Sequence, residues 1–555
     1  MLEISEIPVS ISQGASEEGC LEAGRQEVMK LLGCQPFDIE SIKLSRRSVD
    51  ARRSRHVQFI ISVHVQLRNG FDERGIVDGL SVQSLRRVRI VNEGSSSFPE
   101  PLGIAERQIV QPVIIGAGCA GLFAALALAE AGLEPLLIER GKDAEGRAAD
   151  VRRFNDEGVL DPDSNVQFGL GGSNAYSGGR LAPSSGNPDH KLVLETFVQA
   201  GAPRDILWEA EPRIGSDVFP AVLSNIVARI EELGGEVRFS TKLTAIDLAL
   251  DGSIRDIKVS GPERDETILT NRLILACGHS ARDVVDMLRG DGVEFARKTF
   301  AMGVRIEHLQ ASIDQAQYGA HSSSWALGPA SYELVTRCRN GRSLSTSCMC
   351  PAGCVVAAAS EPGVVTTSGA FMRGQTGRNA SSALLVNINP EDLEGDDPLA
   401  GLELRQRCEE RAFELGGGDH KAPVQLVGNF LAGNPSTGPG RIKPTYRRGV
   451  TWTDLEDALP PHVVETLRLG IPQLDRRLRG FNNPEAVLTG VETRSSSPFT
   501  IVRGKDYQAV STPGLYPCGE GSGYATGVMD AAADGLNCAR ALIDNLPSYL
   551  VRRNS

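Results

Sequence analysis

Residues Pro112–Arg140 read PVIIGAGCAGLFAALALAEAGLEPLLIER, and the order of elements in this segment predicts the topology of the region around it. A short apolar strand leads into a glycine-rich turn, an Ala/Leu-rich helix and a second apolar strand that ends on an acid. Gly116 permits the tight turn, Gly118 leaves room for a pyrophosphate beside the backbone, and Gly121 lets the helix pack on the strand. This order predicts a dinucleotide-binding βαβ unit with the phosphates at the amino end of its helix.

An acidic residue closes this unit. Glu139 follows the second strand, close to the roughly 20-residue spacing from the glycine turn at which an acid accepts hydrogen bonds from the adenosine ribose hydroxyls. The alternative interpretation is a glycine-rich turn that binds no nucleotide. That alternative does not account for a strand, a helix, a second strand and an acid in this order, so we predict a nucleotide site here.

The composition is that of a globular protein with several domains. The chain has 555 residues, a net charge of −12, 41% hydrophobic residues and 23% charged residues. The acidic balance argues against nucleic acid as the main partner, because phosphate binding needs concentrated positive charge. One basic run, Arg46–Arg55, is interrupted by Asp50, which favours a solvated face or a domain contact over a nucleic-acid surface.

The cysteines and the amino terminus bear on the compartment. Eleven scattered cysteines do not form the pattern of a disulfide framework, which fits a reducing environment. The first residues lack the basic and apolar regions of a signal peptide, and no apolar run reaches membrane-spanning length. We therefore expect a soluble cytoplasmic protein with no membrane partner.

The order of elements predicts an α/β fold in four segments. Residues 1–95 have the pattern of a small α+β domain of the ferredoxin-like kind, and residues 105–300 form a Rossmann-type domain. Residues 301–495 are predicted to be an α+β substrate or cap domain inserted into it. Residues 496–555 return to complete the Rossmann-type domain.

Two further glycine-rich stretches are candidates for ligand contact. Within Ser164–Arg180, the glycine density suits a backbone that passes closely around a ligand, and Ser173 and Arg180 offer polar groups to phosphate or ribityl oxygens. A flexible surface loop is the alternative. Gly514–Ala532 combines a short strand, a Gly-Glu turn and an Ala-rich helix, which is typical of a second helix amino terminus facing a ligand. Between them, Leu273–Gly278 predicts a buried return strand beneath the nucleotide.

Eight blocks in this order resemble the uncharacterised FAD-dependent dehydrogenases of bacteria and plastids, which are distant relatives of the glutathione-reductase-like two-dinucleotide flavoproteins. The resemblance covers nearly the whole chain. The blocks are Gly116–Gly121, Glu139–Gly141, Ser164–Gly169, Cys277–Asp283, Gly303–His308, Cys348–Pro351, Gly490–Pro498 and Gly514–Glu520.

The resemblance implies that the nucleotide is FAD. It places ribityl oxygens at Glu520, the flavin pyrimidine edge near Thr526–Val528, and adenine near the strand Lys242–Thr244. From the glycine pattern and the resemblance together, the predicted cofactor-binding residues are Gly116, Gly118, Cys119, Ala120, Gly121, Glu139, Arg140, Arg147, Gly171, Gly172, Ser173, Arg180, Leu243, Gly278, Gly519, Glu520, Thr526, Gly527 and Val528.

The candidate catalytic residues are polar groups outside the glycine turns. His279 follows the return strand and is a candidate either for acid–base chemistry or for a structural hydrogen bond. Arg305 and His308 are candidates too, although together with Glu307 they favour a buried charge network. Tyr332 is a further candidate for an acid–base or orienting role. Two further candidates, Glu492 and Arg494, alternate along a predicted strand and so share a face, which suits an ion pair or the anchoring of an acidic substrate.

No metal site is predicted. Cys348, Cys350 and Cys354 lie close together, but their spacing is not that of a zinc or iron–sulfur motif and no partner cluster occurs elsewhere. A one-residue spacer would also strain a disulfide between the first two. A loop near the flavin is the favoured interpretation.

These features favour an FAD-dependent oxidoreductase of the dehydrogenase or oxidase type, acting on a small organic metabolite by hydride transfer to or from flavin N5. Departures from the family pattern at Leu170, Gly178 and Arg180 leave the substrate and the direction of electron flow open. No second nucleotide-binding glycine motif follows, so NAD(P)H or another electron acceptor would dock only transiently. The alternatives are an NAD(P)H-dependent flavin monooxygenase or reductase, and an RNA-associated flavoprotein.

Overall fold

The computed structural model describes residues 1–52, 56–68, 71–91, 94, 96–104, 110–178, 180–181, 186–374, 377–546 and 551–552. Its amino-terminal elements are β1 (Leu2–Val9), α1 (Glu17–Leu32), β2 (Ile39–Asp50), β3 (Gln58–Leu67), α2 (Glu73–Asp78), α3 (Val82–Leu85) and β4 (Val88–Ile90). The strands form an antiparallel sheet in the order β2-β3-β1-β4. This is the ferredoxin-like arrangement expected from the sequence. Helix α1 begins where the Ser16 side chain accepts a hydrogen bond from the Gly19 N–H and ends at Gly33, whose φ of 66° suits glycine.

The next part of the chain carries the predicted βαβ unit. Its elements are β5 (Gly103–Ile104), β6 (Val113–Ile115), α4 (Cys119–Glu130), β7 (Leu136–Ile138), α5 (Ala144–Glu157), α6 (Asp189–Gln199), α7 (Phe219–Glu232), β8 (Glu236–Arg238), β9 (Lys242–Leu248), β10 (Ile254–Ser260), β11 (Asp265–Leu269), β12 (Leu273–Leu275), α8 (Arg282–Gly290) and β13 (Phe295–Arg297). Strands β9, β10 and β11 form a separate antiparallel sheet.

The inserted segment has a sheet of its own. Its elements are β14 (Phe300–Leu309), α9 (Gln310–Tyr318), β15 (Val335–Arg337), β16 (Ser343–Cys350), β17 (Cys354–Ala357), β18 (Thr367–Ala370), β19 (Asn379–Ile388), α10 (Ala400–Gly416), β20 (Ala422–Leu426), α11 (Val427–Ala432), β21 (Val450–Trp452), α12 (Pro461–Asp475) and β22 (Val487–Glu492). Seven of these strands pair in the order β15-β16-β19-β14-β22-β20-β21. We refer to this segment as the inserted unit.

The chain then returns to the nucleotide-binding unit. The last elements are β23 (Phe499–Ile501), β24 (Leu515–Pro517), α13 (Gly527–Asp544) and β25 (Val551–Arg552). Strands β13 and β23 pair where the chain enters and leaves the inserted unit. Strand β24 joins a five-stranded parallel sheet in the order β24-β12-β6-β7-β8, so the carboxyl ends of these strands meet at one edge. The predicted domain boundaries stay a prediction.

Two helices pack closely above this sheet. A Cβ on Gly121 of α4 would lie 1.9 Å from the Gly116 carbonyl oxygen, and a Cβ on Gly535 of α13 would lie 2.1 Å from the Ala120 carbonyl oxygen. Only glycine permits these approaches, so α4 rests on its strand and α13 crosses α4 at close range. None of the described helices combines the length and the apolar character needed to cross a membrane.

Part of the basic run Arg46–Arg55 is an internal contact. The Arg47 side chain pairs with Glu209 at 2.5 Å, and the Ala210 N–H donates to the Arg47 carbonyl at 2.8 Å. Residues 53–55 of the run lie outside the described residues. The contact at Arg47 agrees with the domain-contact interpretation.

Candidate functional site

The carboxyl edge of the parallel sheet opens into a cleft between glycine-rich turns. These turns follow β6, β7, β12 and β24, and the Ser164–Arg180 loop supplies a further wall. Residues that line the cleft include Gly116, Gly118, Cys119, Ala120, Glu139, Arg140, Gln167, Phe168, Gly171, Gly172, Ser173, Thr241, Leu243, Cys277, Gly278, His279, Ser280, Cys518, Gly519, Glu520 and Gly521. Most of the predicted cofactor-binding residues therefore come together here.

Two glycines leave open space at the cleft wall. A Cβ placed on Gly118 or on Gly278 would meet no atom within 4 Å, whereas a Cβ on Gly116 would lie 2.4 Å from the Ala276 carbonyl oxygen. Gly116 is thus required by the tight turn, with a φ of 102°. Gly118 and Gly278 instead leave room for something other than protein. That is the shape which close approach of a nucleotide to the backbone requires.

Glu139 ties the first turn to the glycine-rich loop. Its buried carboxylate accepts hydrogen bonds from the N–H groups of Ala117 at 2.8 Å, Gly141 at 2.9 Å and Gly169 at 2.9 Å. A carboxylate offers about four acceptor positions, so one stays available to a ribose hydroxyl. The predicted contact with ribose is compatible with this geometry.

Arg147 does not line the cleft, which differs from the sequence prediction. Its guanidinium is 1% exposed and has five N–H donors. All five are used within the loop, on the carbonyl oxygens of Asn165, Val166, Gly169, Leu170 and Gly172. No donor is left for a phosphate, so Arg147 shapes the loop that forms the cleft wall.

Several other predicted cofactor residues do not line the cleft either. Arg180 pairs with Glu333 at 2.9 Å. Gly121 serves helix packing, as predicted, and Thr526–Val528 start α13. Arg140 does line the cleft, and its guanidinium lies 4.4 Å from the centre of the Phe168 ring.

Glu520 is a carboxyl group with an unusual proton affinity. Burial raises its pKa to about 7, and the Gly527 N–H and the charge of Lys298 only partly oppose this. Lys298 donates to the Gly523 carbonyl oxygen at 2.5 Å. A carboxyl with this pKa can hold or release a proton near neutral pH.

His279 lies at the border with the inserted unit. Its Nδ1 is 3.2 Å from Nη1 of Arg405, a residue of α10. Burial, followed by the charges of Arg405 and Arg494, lowers the pKa of His279 well below its ordinary value. The ring is therefore neutral at pH 7.

The other catalytic candidates lie inside the inserted unit, away from the cleft lining. Arg305 pairs with both carboxylate oxygens of Glu492, the nearer at 3.0 Å, and donates to the Cys348 carbonyl oxygen. It does not pair with Glu307, whose carboxylate accepts from Asn379 and Thr445, so the predicted network is wrong in its partners.

The remaining three candidates are also engaged in structural contacts. His308 Nε2 is 2.7 Å from the Phe481 carbonyl oxygen, and burial lowers the pKa of His308 to about 4. Arg494 makes a two-pronged ion pair with Glu409 at 2.6 Å and 3.0 Å. Tyr332 is buried against the Phe481 ring. Among the described residues, His279 is therefore the one predicted catalytic residue that lines the cleft.

A charged cluster missed by the sequence analysis joins the two units. Glu409 is fully buried and pairs with Arg494. Arg282 of α8 pairs with Glu361 of the inserted unit at 3.3 Å. Burial acts to raise the pKa of Glu409, but Arg494 and Arg405 outweigh it and hold the carboxyl ionised. The signal in the sequence is the Arg405/Glu409 spacing of four on one helix face.

A second group missed by the sequence analysis lies under the cleft. The side chains of Cys518, Asp534 and Cys538 are buried. The two sulfur atoms and a carboxylate oxygen of Asp534, which could ligate a metal ion, lie within 4.8 Å of one another. Arg503 donates twice to Asp534 and once to the Cys538 sulfur. A guanidinium therefore already neutralises the carboxylate of this group. All eleven cysteines, including Cys348, Cys350 and Cys354, are free thiols.

Comparison with known proteins identifies the family. Residues 299–495 match the model described as "FAD-dependent protein, C-terminal domain-like", and residues 114–179 match an NAD(P)-binding Rossmann-like domain. Residues 1–66 match a domain of unknown function. An uncharacterized protein from Clostridium beijerinckii is 38% identical over 525 residues, which is 94% of this chain and 95% of the relative. The chain belongs to the FAD-dependent oxidoreductase family.

Solved structures give weaker similarities. A complex of aklavinone-11 hydroxylase with FAD and aklavinone is 15% identical, with 79% of this chain and 63% of that chain covered and a TM-score of 0.32. L-proline dehydrogenase from P. horikoshii is 10% identical, with 80% and 95% covered and a TM-score of 0.36. TM-scores this low carry no argument, so the family rests on the sequence matches.

The residues of the cleft fit FAD. The open space at Gly118 and Gly278, the available acceptor position on Glu139 and the facing turn at Gly519 and Glu520 meet the needs of a dinucleotide. This protein of the FAD-dependent oxidoreductase family therefore has FAD as its cofactor.

Proposed function

We propose that this oxidoreductase acts as a dehydrogenase or oxidase on a small organic metabolite, by hydride transfer to or from flavin N5. The observation that carries the proposal is the single dinucleotide cleft: among the described residues, the five-stranded sheet is the one sheet whose strands all run parallel. We therefore expect no second nucleotide-binding domain for NAD(P)H among the described residues. The substrate is then one redox partner of the flavin, and a second partner that docks only transiently, NAD(P)H or another electron acceptor, returns the flavin to its starting state.

The substrate is proposed to bind where the inserted unit meets the cleft. Gln167 lines the cleft and donates to the Ala358 carbonyl oxygen of the inserted unit at 3.1 Å. Its own side-chain oxygen accepts from Ser280 at 3.1 Å. The Arg405–His279 contact lies at the same border. These contacts support a substrate pocket whose walls come from both units.

FAD, when bound, supplies a ring that exchanges a hydride at N5. The residues of the chain would bind, orient and handle protons around it. Gly118, Gly278 and Glu139 would hold the nucleotide part. Glu520, with a pKa of about 7, is proposed to hold the proton that accompanies the hydride, in addition to the ribityl contact predicted from the sequence. His279 is neutral, and its Nδ1 lone pair is occupied by Arg405.

Anaerobic mixing followed by flavin absorbance tests this proposal. The FAD-loaded protein is mixed with NADH, with NADPH and with fractions of a metabolite extract. We expect a metabolite fraction to bleach the flavin and the two nicotinamide nucleotides to bleach it slowly or not at all. Rapid bleaching by NADPH would instead identify a monooxygenase or reductase and contradict the proposal.

The Glu520 variant provides a second readout. Glu520→Gln keeps the shape and removes the titrating proton. We expect the rate of bleaching by the active fraction to lose the part of its pH dependence centred near pH 7. An unchanged pH profile would remove Glu520 from proton handling and leave the oxidoreductase proposal standing.

A further inference from the structure

His279 and Arg405 meet across the border between the two units. His279 follows β12 in the nucleotide-binding unit and lines the cleft, and Arg405 projects from α10 of the inserted unit. Nη1 of Arg405 is 3.2 Å from Nδ1 of His279, and the two side chains are 1% and 8% exposed. Among the described residues, Arg405 is the side chain that hydrogen-bonds to the His279 ring.

The chemistry of the two groups fixes the position of the imidazole proton. A guanidinium only donates, so Nδ1 must supply the lone pair that accepts its N–H. In a neutral imidazole, the other nitrogen then carries the hydrogen. His279 is therefore the Nε2–H tautomer as long as Arg405 is charged. Burial lowers the pKa of Arg405 to about 9, which keeps it charged at pH 7.

The charged groups around His279 oppose its protonation. Arg405 approaches from α10, Arg494 follows β22, and Lys298 lies between β13 and β14, and all three lower the pKa of His279. A protonated ring would place two positive charges about 3 Å apart where water is largely excluded. No carboxylate of the described residues contacts the ring to compensate.

We propose that Arg405 is a positioning residue that fixes His279 as an Nε2–H donor facing FAD. The inference rests on the assignment of the cleft to FAD. Under it, His279 cannot serve as a general base near neutral pH, because its free nitrogen already carries a hydrogen and its other lone pair is occupied. It offers instead a permanent hydrogen-bond donor to an oxygen of the cofactor. The inserted unit thereby sets the chemistry of a residue in the nucleotide-binding unit.

Nuclear magnetic resonance of ¹⁵N-histidine-labelled protein tests this directly. The chain has eight histidines, and the His279 signals are assigned by their loss in His279→Asn. Between about pH 6 and pH 8, we expect a neutral ring with hydrogen on Nε2 and no titration, both without and with FAD. Addition of FAD should shift the Nε2–H resonance. A ring that titrates in this range, a hydrogen on Nδ1, or an Nε2–H signal unaffected by FAD would overturn the proposal.

Substitutions at Arg405 separate positioning from general stability. Arg405→Lys retains a donor and should preserve the tautomer. Arg405→Met removes the donor, so both tautomers should appear and the ring should titrate closer to the ordinary value of about 6.5. Arg411→Met is the matched control, because Arg411 lies on the same helix and pairs with exposed Glu414.

A wild-type tautomer and a non-titrating ring in Arg405→Met would refute the role of Arg405. If that variant does not fold, titration of His279 in the wild-type protein still tests whether the ring stays neutral with hydrogen on Nε2. The tautomer of His279 can be determined without turnover and without FAD. A wrong proposal for Arg405 can therefore be distinguished from a wrong proposal for hydride transfer.

Discussion

Replacing Gly118 by alanine tests where the FAD pyrophosphate lies. Gly118 precedes α4 with φ −74° and ψ 177°, a conformation that alanine adopts readily. The added Cβ would meet no protein atom within 4 Å. The free energy of unfolding of the FAD-free variant should therefore lie within about 1 kcal/mol of the wild-type value. The methyl group occupies the space that the nucleotide needs beside the backbone.

The expected loss of affinity follows from one displaced phosphate contact. A hydrogen bond between a backbone N–H and a charged phosphate oxygen contributes about 1.5–3 kcal/mol. Loss of one such bond raises the Kd for FAD by about 10- to 150-fold. A larger loss would mean that the pyrophosphate is displaced from the whole turn.

Quenching of FAD fluorescence on titration into the apoprotein measures this Kd. Gly438→Ala is the matched control: a Cβ there also meets nothing within 4 Å, and Gly438 does not line the cleft. We expect wild-type affinity in the control. Equal affinity of Gly118→Ala and wild type would refute the proposed position of the pyrophosphate, and equal weakening in both variants would show that the effect is not local.

Three further predictions concern stability. Arg147→Lys replaces five hydrogen-bond donors by three, so urea unfolding should show a free energy of unfolding lower by about 3 kcal/mol. Wild-type stability of this variant would contradict the role of Arg147 in the loop. Glu409→Gln leaves buried arginines without their carboxylate and should lower the free energy of unfolding by about 3–5 kcal/mol. The control Glu414→Gln on the same helix should lower it by less than about 1 kcal/mol. Similar losses in the two variants would exclude a special role for Glu409. Glu520 has a folded pKa raised to about 7, so it stabilises the FAD-free fold below about pH 4.5 and this stabilisation is lost as the pH rises to about 7. Glu520→Gln should flatten that part of the unfolding curve against pH, and an unchanged slope would contradict the raised pKa.

The nucleotide-binding unit could be predicted from the sequence because its signals are local. The turn at Gly116–Gly121 and the helix after it depend on residues close in the chain. The bounds of α1 follow from Ser16 and Gly33 at its ends in the same way. Where backbone geometry alone requires a residue type, spacing is enough to find it.

The contacts of the catalytic candidates could not be predicted, for the opposite reason. Arg305 pairs with a residue 187 positions away, and Arg405 meets a residue 126 positions away. These partners depend on the register of the seven-stranded sheet and on how the inserted unit sits against the cleft. Neither is encoded in local spacing. Arg147 is predicted to contact the cofactor, but its donors are used by carbonyl oxygens 18 to 25 positions further along the chain, and no local spacing encodes these contacts.

Hydrogen–deuterium exchange with and without FAD can show whether FAD lies between the first glycine turn and the carboxy-terminal Gly-Glu turn. Peptides covering residues 116–121, 277–280 and 518–521 line the cleft. We predict that FAD slows amide exchange in all three peptides and leaves exchange in the amino-terminal sheet unchanged. Protection confined to other regions, or a colourless protein that does not take up FAD, would contradict it.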